Sequence, residues 1–93
     1  MYLYCIANTQ GQCKFGFSGE PLKRLRALQT ASSDPLFLIE SVDVGSADVR
    51  EMERLLHREI GLHRRTRGEW FSISGEAGAL LLQWFAIHYL SDR

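Results

Sequence analysis

The chain predicts an α+β fold, a small three-stranded, mainly antiparallel sheet flanked by helices, with an extra apolar helix at the C-terminal end. Three observations carry this. Residues 2–8 and 13–17 alternate aromatic, aliphatic and small types on either side of Thr9-Gln10-Gly11-Gln12, the pattern of a β-hairpin. A second apolar run, Leu36 to Val44, supplies one more strand. Between and after these runs, leucine-rich stretches bounded by Ser, Gly and Pro supply helices.

Taken in order, the hairpin ends at Ser18-Gly19-Glu20-Pro21, where proline suits a first helical turn because it has no N–H to lose there. Ser18 or Glu20 can cap. Residues 21–31 then place Leu22, Leu25 and Leu28 at three-residue spacing with Lys23, Arg24 and Arg26 between them, an amphipathic helix packed by its leucines. Ser32-Ser33-Asp34-Pro35 stops it. The run from Leu36 is too apolar at its start for an exposed strand, so it reads as the central strand, buried on both faces in its first half. Gly45 ends it, and Ser46 is the expected cap of a second helix whose core stripe is Val49, Met52, Leu56 and Ile60.

A basic loop, His63 to Gly68, leads to a short extended piece, Glu69 to Ile73, which Trp70 or Phe71 anchors in the core. The last helix, 77–90, carries Leu80, Leu81, Leu82, Trp84, Phe85, Ile87, Tyr89 and Leu90, and almost no polar face. A helix apolar all round is sandwiched or shared. A homodimer contact or a docking site for a partner domain is therefore expected there.

The 93 residues are read as a single domain, 1–93, able to bury about two-thirds of the unfolded surface. No apolar run approaches the ~20 residues of a membrane span. The chain enters a strand pattern without a basic-then-apolar leader, so a cytoplasmic setting is expected. Cys5 and Cys13 are expected about three residue pairs apart in the hairpin, roughly 10 Å at ~3.3 Å per residue, too far for a disulfide. Buried free thiols follow.

Eleven basic and eleven acidic residues give no net charge, which argues against binding nucleic acid by bulk charge alone. The distribution is less even. Arg50, Arg54 and Arg58 repeat every four residues along one helix face, and Arg64, Arg65 and Arg67 follow in the basic loop. With Lys14, Lys23 and Arg24 they are the candidate contacts to a nucleic-acid backbone.

Tyr2-Leu3-Tyr4, Lys14-Phe15-Gly16, Arg24-Leu25, Glu53-Arg54-Leu55-Leu56-His57 and Gly68-Glu69-Trp70-Phe71 occur in this order. In these motifs the chain resembles a GIY-YIG nuclease module, specifically the short branch of phage and mobile-element proteins with the pattern YLY, KIG, RL, ExxLH and GEWF. The likeness covers residues 2–71 and leaves out the last helix. It implies a metal-dependent DNA endonuclease.

Cleaving a phosphodiester needs an activated water, a cation opposite the developing charge and help for the leaving oxygen. The candidates are Tyr4, Lys14, Arg24, Glu53 and His57. The resemblance implies that Tyr4 and Lys14 flank the scissile phosphate, with Tyr4 as base, that Arg24 clamps the phosphate and that Glu53 binds one divalent cation, Mg²⁺ or Mn²⁺. His57, one turn from Glu53, supports that carboxylate or donates to a phosphate. Where many members carry tyrosine this chain has Lys14, as the short branch does. Where many carry asparagine it offers Arg65, Gly68 or Glu69. The alternative reading is a module that keeps the scaffold and binds nucleic acid or protein without turnover.

The hairpin sets a condition on this site. A plain two-residue turn at Gln10-Gly11 would pair Tyr4 with Phe17 and put Tyr4 and Lys14 on opposite faces. They share a face only with an odd loop or a bulge, for which Gly11 is the suitable residue. That irregularity is expected.

Overall fold

The computed structural model describes residues 1–45, 48–59 and 70–89. In chain order these form β1 (Tyr2–Ala7), β2 (Cys13–Ser18), α1 (Pro21–Thr30), β3 (Phe37–Asp43), α2 (Val49–Glu59), β4 (Trp70–Phe71) and α3 (Gly75–Tyr89). The strands make one sheet in the order β3-β1-β2-β4, with every neighbouring pair antiparallel. The architecture is α+β, as the sequence predicts. It has one strand more, because the short piece at Trp70–Phe71 joins the edge of β2.

The strand predicted as central is instead an edge. β1 occupies the middle, and Leu3, Tyr4, Cys5, Ile6 and Ala7 are all buried. β3 pairs only with β1 and leaves Phe37 and Ile39 50% and 37% exposed. Its pairing slips by a residue between Cys5 and Ile6, so Ile39 has no partner on β1. An apolar run reports apolar side chains, and it does not say how many strands will flank them.

The hairpin turn is odd, as the shared-face condition requires. Ala7 and Cys13 form the last rung and Asn8 to Gln12 make the crossing, closed by the Asn8 N–H donating to the Gln12 carbonyl at 3.1 Å. Asn8 Oδ1 also accepts from the Gln10 and Gln12 amides, at 2.9 and 3.1 Å, and Gly11 adopts φ +72°. Tyr4 therefore faces Gly16 and Ile6 faces Lys14 across the ladder. Directly opposed residues project to one side, so Tyr4 and Lys14 share a face.

This register also brings the cysteines closer than the sequence estimate. Cys5 opposes Phe15 while Ala7 opposes Cys13, which makes the two cysteines diagonal neighbours. Both are free and buried. Their sulfurs lie over Gly78, where an added Cβ would stand 2.9 Å from each Sγ. A hydrogen bond with Cys13, followed by burial, raises the Cys5 thiol above its ordinary value.

Each face of the sheet has its own helices. Leu3, Cys5, Cys13 and Phe15 pack with Met52 and Leu56 of α2 and with Leu82 and Phe85 of α3. Tyr4 and Ile6 pack on the other side with Leu36 and with Leu25 and Leu28 of α1. α1 has proline in its first turn, and its N-cap Glu20 makes no side-chain cap bond; Ser18 Oγ accepts from the Glu20 amide at 3.0 Å. Leu22, expected to pack, is 59% exposed.

α2 is capped by Asp48, two residues later than the expected Ser46, which lies outside the described residues. Asp48 Oδ1 accepts from the amides of Arg50 at 3.0 Å and Glu51 at 3.4 Å. Ser74 caps α3, with Oγ accepting from the Ala77 amide at 3.2 Å. α3 is apolar on two sides: Gly78, Leu82 and Phe85 are buried, while Leu80, Trp84 and Ile87 on the opposite side are exposed. Ile60, Leu90 and the loop 63–68 lie outside the described residues. No helix among the described residues is long and apolar enough to cross a membrane.

Candidate active site

Tyr4 is where the strand alternation and the first helix meet. Its ring is 3% exposed and lies over Gly16, its partner across the ladder. A Cβ at Gly16 would stand 2.5 Å from the Tyr4 hydroxyl oxygen and 2.7 Å from Cζ, so only glycine leaves room for the ring. The hydroxyl oxygen accepts from Arg24 Nε, a long contact of 3.5 Å. Arg24 is itself exposed, on the side of α1 that also carries Leu28 one turn later. A buried phenol and a solvent-facing guanidinium thus touch at one oxygen.

Lys14 stands on the same face, two rungs along the hairpin from Tyr4. Its Nζ lies 6.0 Å from the centroid of the Trp70 ring, and Trp70 is its pairing partner on β4. The sequence leaves open which of Trp70 and Phe71 anchors the short strand. Phe71 does, at 3% exposure in the α2/α3 core, and Trp70 projects to the α1 face.

Glu53 and His57 form a pair on α2, with Nε2 to Oε1 at 4.0 Å and side chains 51% and 30% exposed. The His57 ring meets Phe71 of β4 edge-on, centroids 5.8 Å apart, so this side of α2 is turned toward the β2–β4 margin of the sheet. The helix itself is anchored through Met52 and Leu56 in the core opposite Tyr4. The structure joins Tyr4 to Arg24 directly, sets Lys14 beside them on one face, and holds Glu53 and His57 on an element from the other half. Among the described residues, no group of three or more His, Cys, Asp or Glu side chains is gathered as a metal cluster.

The remaining basic candidates differ in their engagement. Lys23 Nζ is 3.9 Å from the Glu20 carboxylate, both side chains largely exposed. Arg54 makes a two-pronged pair with Glu51, at 2.6 and 3.1 Å, and this bond holds the Glu51 carboxyl below the usual range. Arg58 is exposed near the end of α2, where Tyr89 donates to Glu59 at 2.7 Å and that bond raises the Tyr89 phenol. Arg64, Arg65 and Arg67 lie outside the described residues, as do Gly68 and Glu69.

Two residues matter more here than their sequence positions suggest. Gly16 is the shelf for the Tyr4 ring, a role signalled only once the hairpin register is known. Trp70 forms a wall beside Lys14, signalled by its alternation with Phe71. A family model described as T5orf172 domain matches residues 1–86. No curated protein and no solved structure matches the chain.

Proposed function

Since the chain belongs to the T5orf172 domain family, a phage-associated group related to nucleases, we propose that it is a metal-dependent endonuclease hydrolysing DNA phosphodiester bonds. The observation that carries this reading is the Tyr4–Arg24 contact over Gly16. A phosphate approaching α1 meets the exposed guanidinium first, and Arg24 has the fork geometry to take two of its oxygens. The guanidinium fixes the phosphate beside the Tyr4 oxygen, which as phenolate takes a proton from the attacking water and becomes the phenol as the water oxygen bonds to phosphorus. The likeness to GIY-YIG nucleases assigns the same roles. Lys14, on the same face, places a second positive charge along the backbone.

The chemistry of Glu53 fits a hard divalent cation. One half-exposed carboxylate with room for substrate oxygens is a donor set that Mg²⁺ or Mn²⁺ accepts, and His57 beside it steadies the carboxylate. Glu53 would hold the ion. When bound, the ion supplies charge opposite the developing phosphorane and leaving oxygen.

Incubating plasmid with the protein and Mg²⁺ or Mn²⁺ tests the proposal. Nicking is expected, reduced about 10²-fold or more by Arg24→Ala and by Glu53→Ala. Binding without nicking by the unaltered protein would favour the second reading, a nucleic-acid-binding module. That reading has one observation on its side: the helix that carries Glu53 packs, through Met52 and Leu56, in the core on the face opposite Tyr4.

A further inference from the structure

Next to the Tyr4–Arg24 contact, on the same face of the sheet, a groove of about 570 Å³ opens between the C-terminal end of α1, the hairpin turn and Trp70. Its walls are chemically divided. Trp70 and Leu28 give it a flat apolar side, Asn8 and Gln10 offer amides, Lys14 stands beside the indole, and Asp34 lies in the loop after α1. Such a slot, with one flat apolar wall and polar groups on the others, can stack a ring and hydrogen-bond its edge.

The walls come from separate stretches of chain and are tied together. Asp34 accepts from the Thr9 amide at 3.0 Å and from the Thr9 hydroxyl, which fastens the loop to the hairpin turn. Gln29 closes the same loop from the helix, donating to the Asp34 carbonyl at 3.0 Å and accepting from the Leu36 amide at 2.8 Å. A groove held in this way has its shape before a ligand arrives, which lowers the entropy lost on binding.

The charges set the orientation of a guest. Lys14, two rungs from Tyr4, is part of the groove's lining, and Arg24 lies outside it, one helical turn before Leu28 on α1. The Asp34 carboxylate opposes a phosphate placed inside. An uncharged flat ring inside, with its phosphate outside toward Arg24, avoids that repulsion and keeps the phosphate near a cation.

We propose that this groove receives the unstacked base of the nucleotide adjoining the phosphate at Arg24, with Trp70 as its stacking wall. This rests on the nuclease reading and narrows it. A base inside a continuous duplex must first be unpaired and unstacked to enter, so DNA with an unpaired nucleotide at the cleavage position is the better substrate.

Trp70 and Trp84 are the two tryptophans, so a Trp84→Phe protein reports on Trp70 alone. Its fluorescence is titrated with a single-stranded thymidine oligonucleotide, the corresponding duplex and an abasic strand of equal length and charge. Quenching by the thymidine strand and little by the other two is expected. Trp70→Ala is expected to weaken binding of the thymidine strand roughly tenfold or more, and Trp70→Phe, which keeps a ring, to retain most of it. Equal binding of the abasic and thymidine strands, without quenching, overturns the proposal, as does a preference for the duplex. Nicking of plasmid without Trp70 quenching removes the base site alone. Quenching without cleavage of any strand removes the nuclease reading and leaves the base site standing.

Discussion

The two faces of the sheet differ in how they are built. On the α2/α3 side, Leu3, Cys5, Cys13, Met52, Leu56, Leu82 and Phe85 are at most 1% exposed and form one continuous core. On the α1 side only Tyr4, Ile6 and Leu36 are buried among the described residues, and α1 has no buried residue of its own. The same strand feeds both, since alternate residues of β1 go to opposite faces. One face concentrates the apolar burial that holds the fold. The thinner face leaves cations and a groove at the surface, where a substrate can reach them, over the buried Tyr4 phenol that Arg24 touches.

The sharpest way to break this contrast is to damage the thick face. Phe85→Ala removes a fully buried ring that also packs against Tyr89, with centroids 4.8 Å apart. The expected loss is about 3–5 kcal/mol, a large part of the ~5–15 kcal/mol a domain has. Urea unfolding monitored by circular dichroism measures it. A loss below about 1 kcal/mol would show that the α3 side is not the stabilising half.

A smaller but more specific effect is expected on the thin face. In Gly16→Ala the new methyl would sit 2.5 Å from the Tyr4 hydroxyl oxygen, and the buried ring has little space to give way. The expected destabilisation is about 1–3 kcal/mol. The displaced ring also leaves Arg24, so nicking of plasmid should fall further than the stability change explains. Full nicking by a folded Gly16→Ala protein would detach the Tyr4–Arg24 contact from catalysis.

The contrast between faces was legible in the sequence only in part. The alternation in residues 2–8 and 13–17 marks both strands of the hairpin, and Gly11 marks the irregular turn that unites Tyr4 and Lys14. Which strand lies in the middle is a different kind of fact. Phe37 and Ile39 look like core residues by type, yet β3 is an edge because the hairpin closes on β4 at its other side. The cysteine separation failed for a related reason, since one residue of turn length changes every cross-strand distance. The contact of Tyr4 with Arg24 was reachable only through the family resemblance. Periodicity places Arg24 on a helix between leucines, and it does not say which strand residue the helix will cover. The position of Glu53 was harder still, because the side of the sheet that α2 joins depends on tertiary packing.

The smallest expected effect tests how thin the thin face is. Leu22 sits at the spacing that makes Leu25 and Leu28 core residues, yet it is 59% exposed and shares a shallow hollow with Tyr2, Lys23 and Leu38. Leu22→Gln should therefore change stability by no more than about 0.5 kcal/mol. Leu25→Ala, which uncovers part of Tyr4 and Ile6, should cost more, about 1–2 kcal/mol, below the full-burial range because Leu25 is only half-buried. Urea midpoints of the two variants, measured side by side, give the ordering. Equal losses would mean that the first turn of α1 is as firmly packed as its middle, and the helix that presents Arg24 would then be held along its whole length.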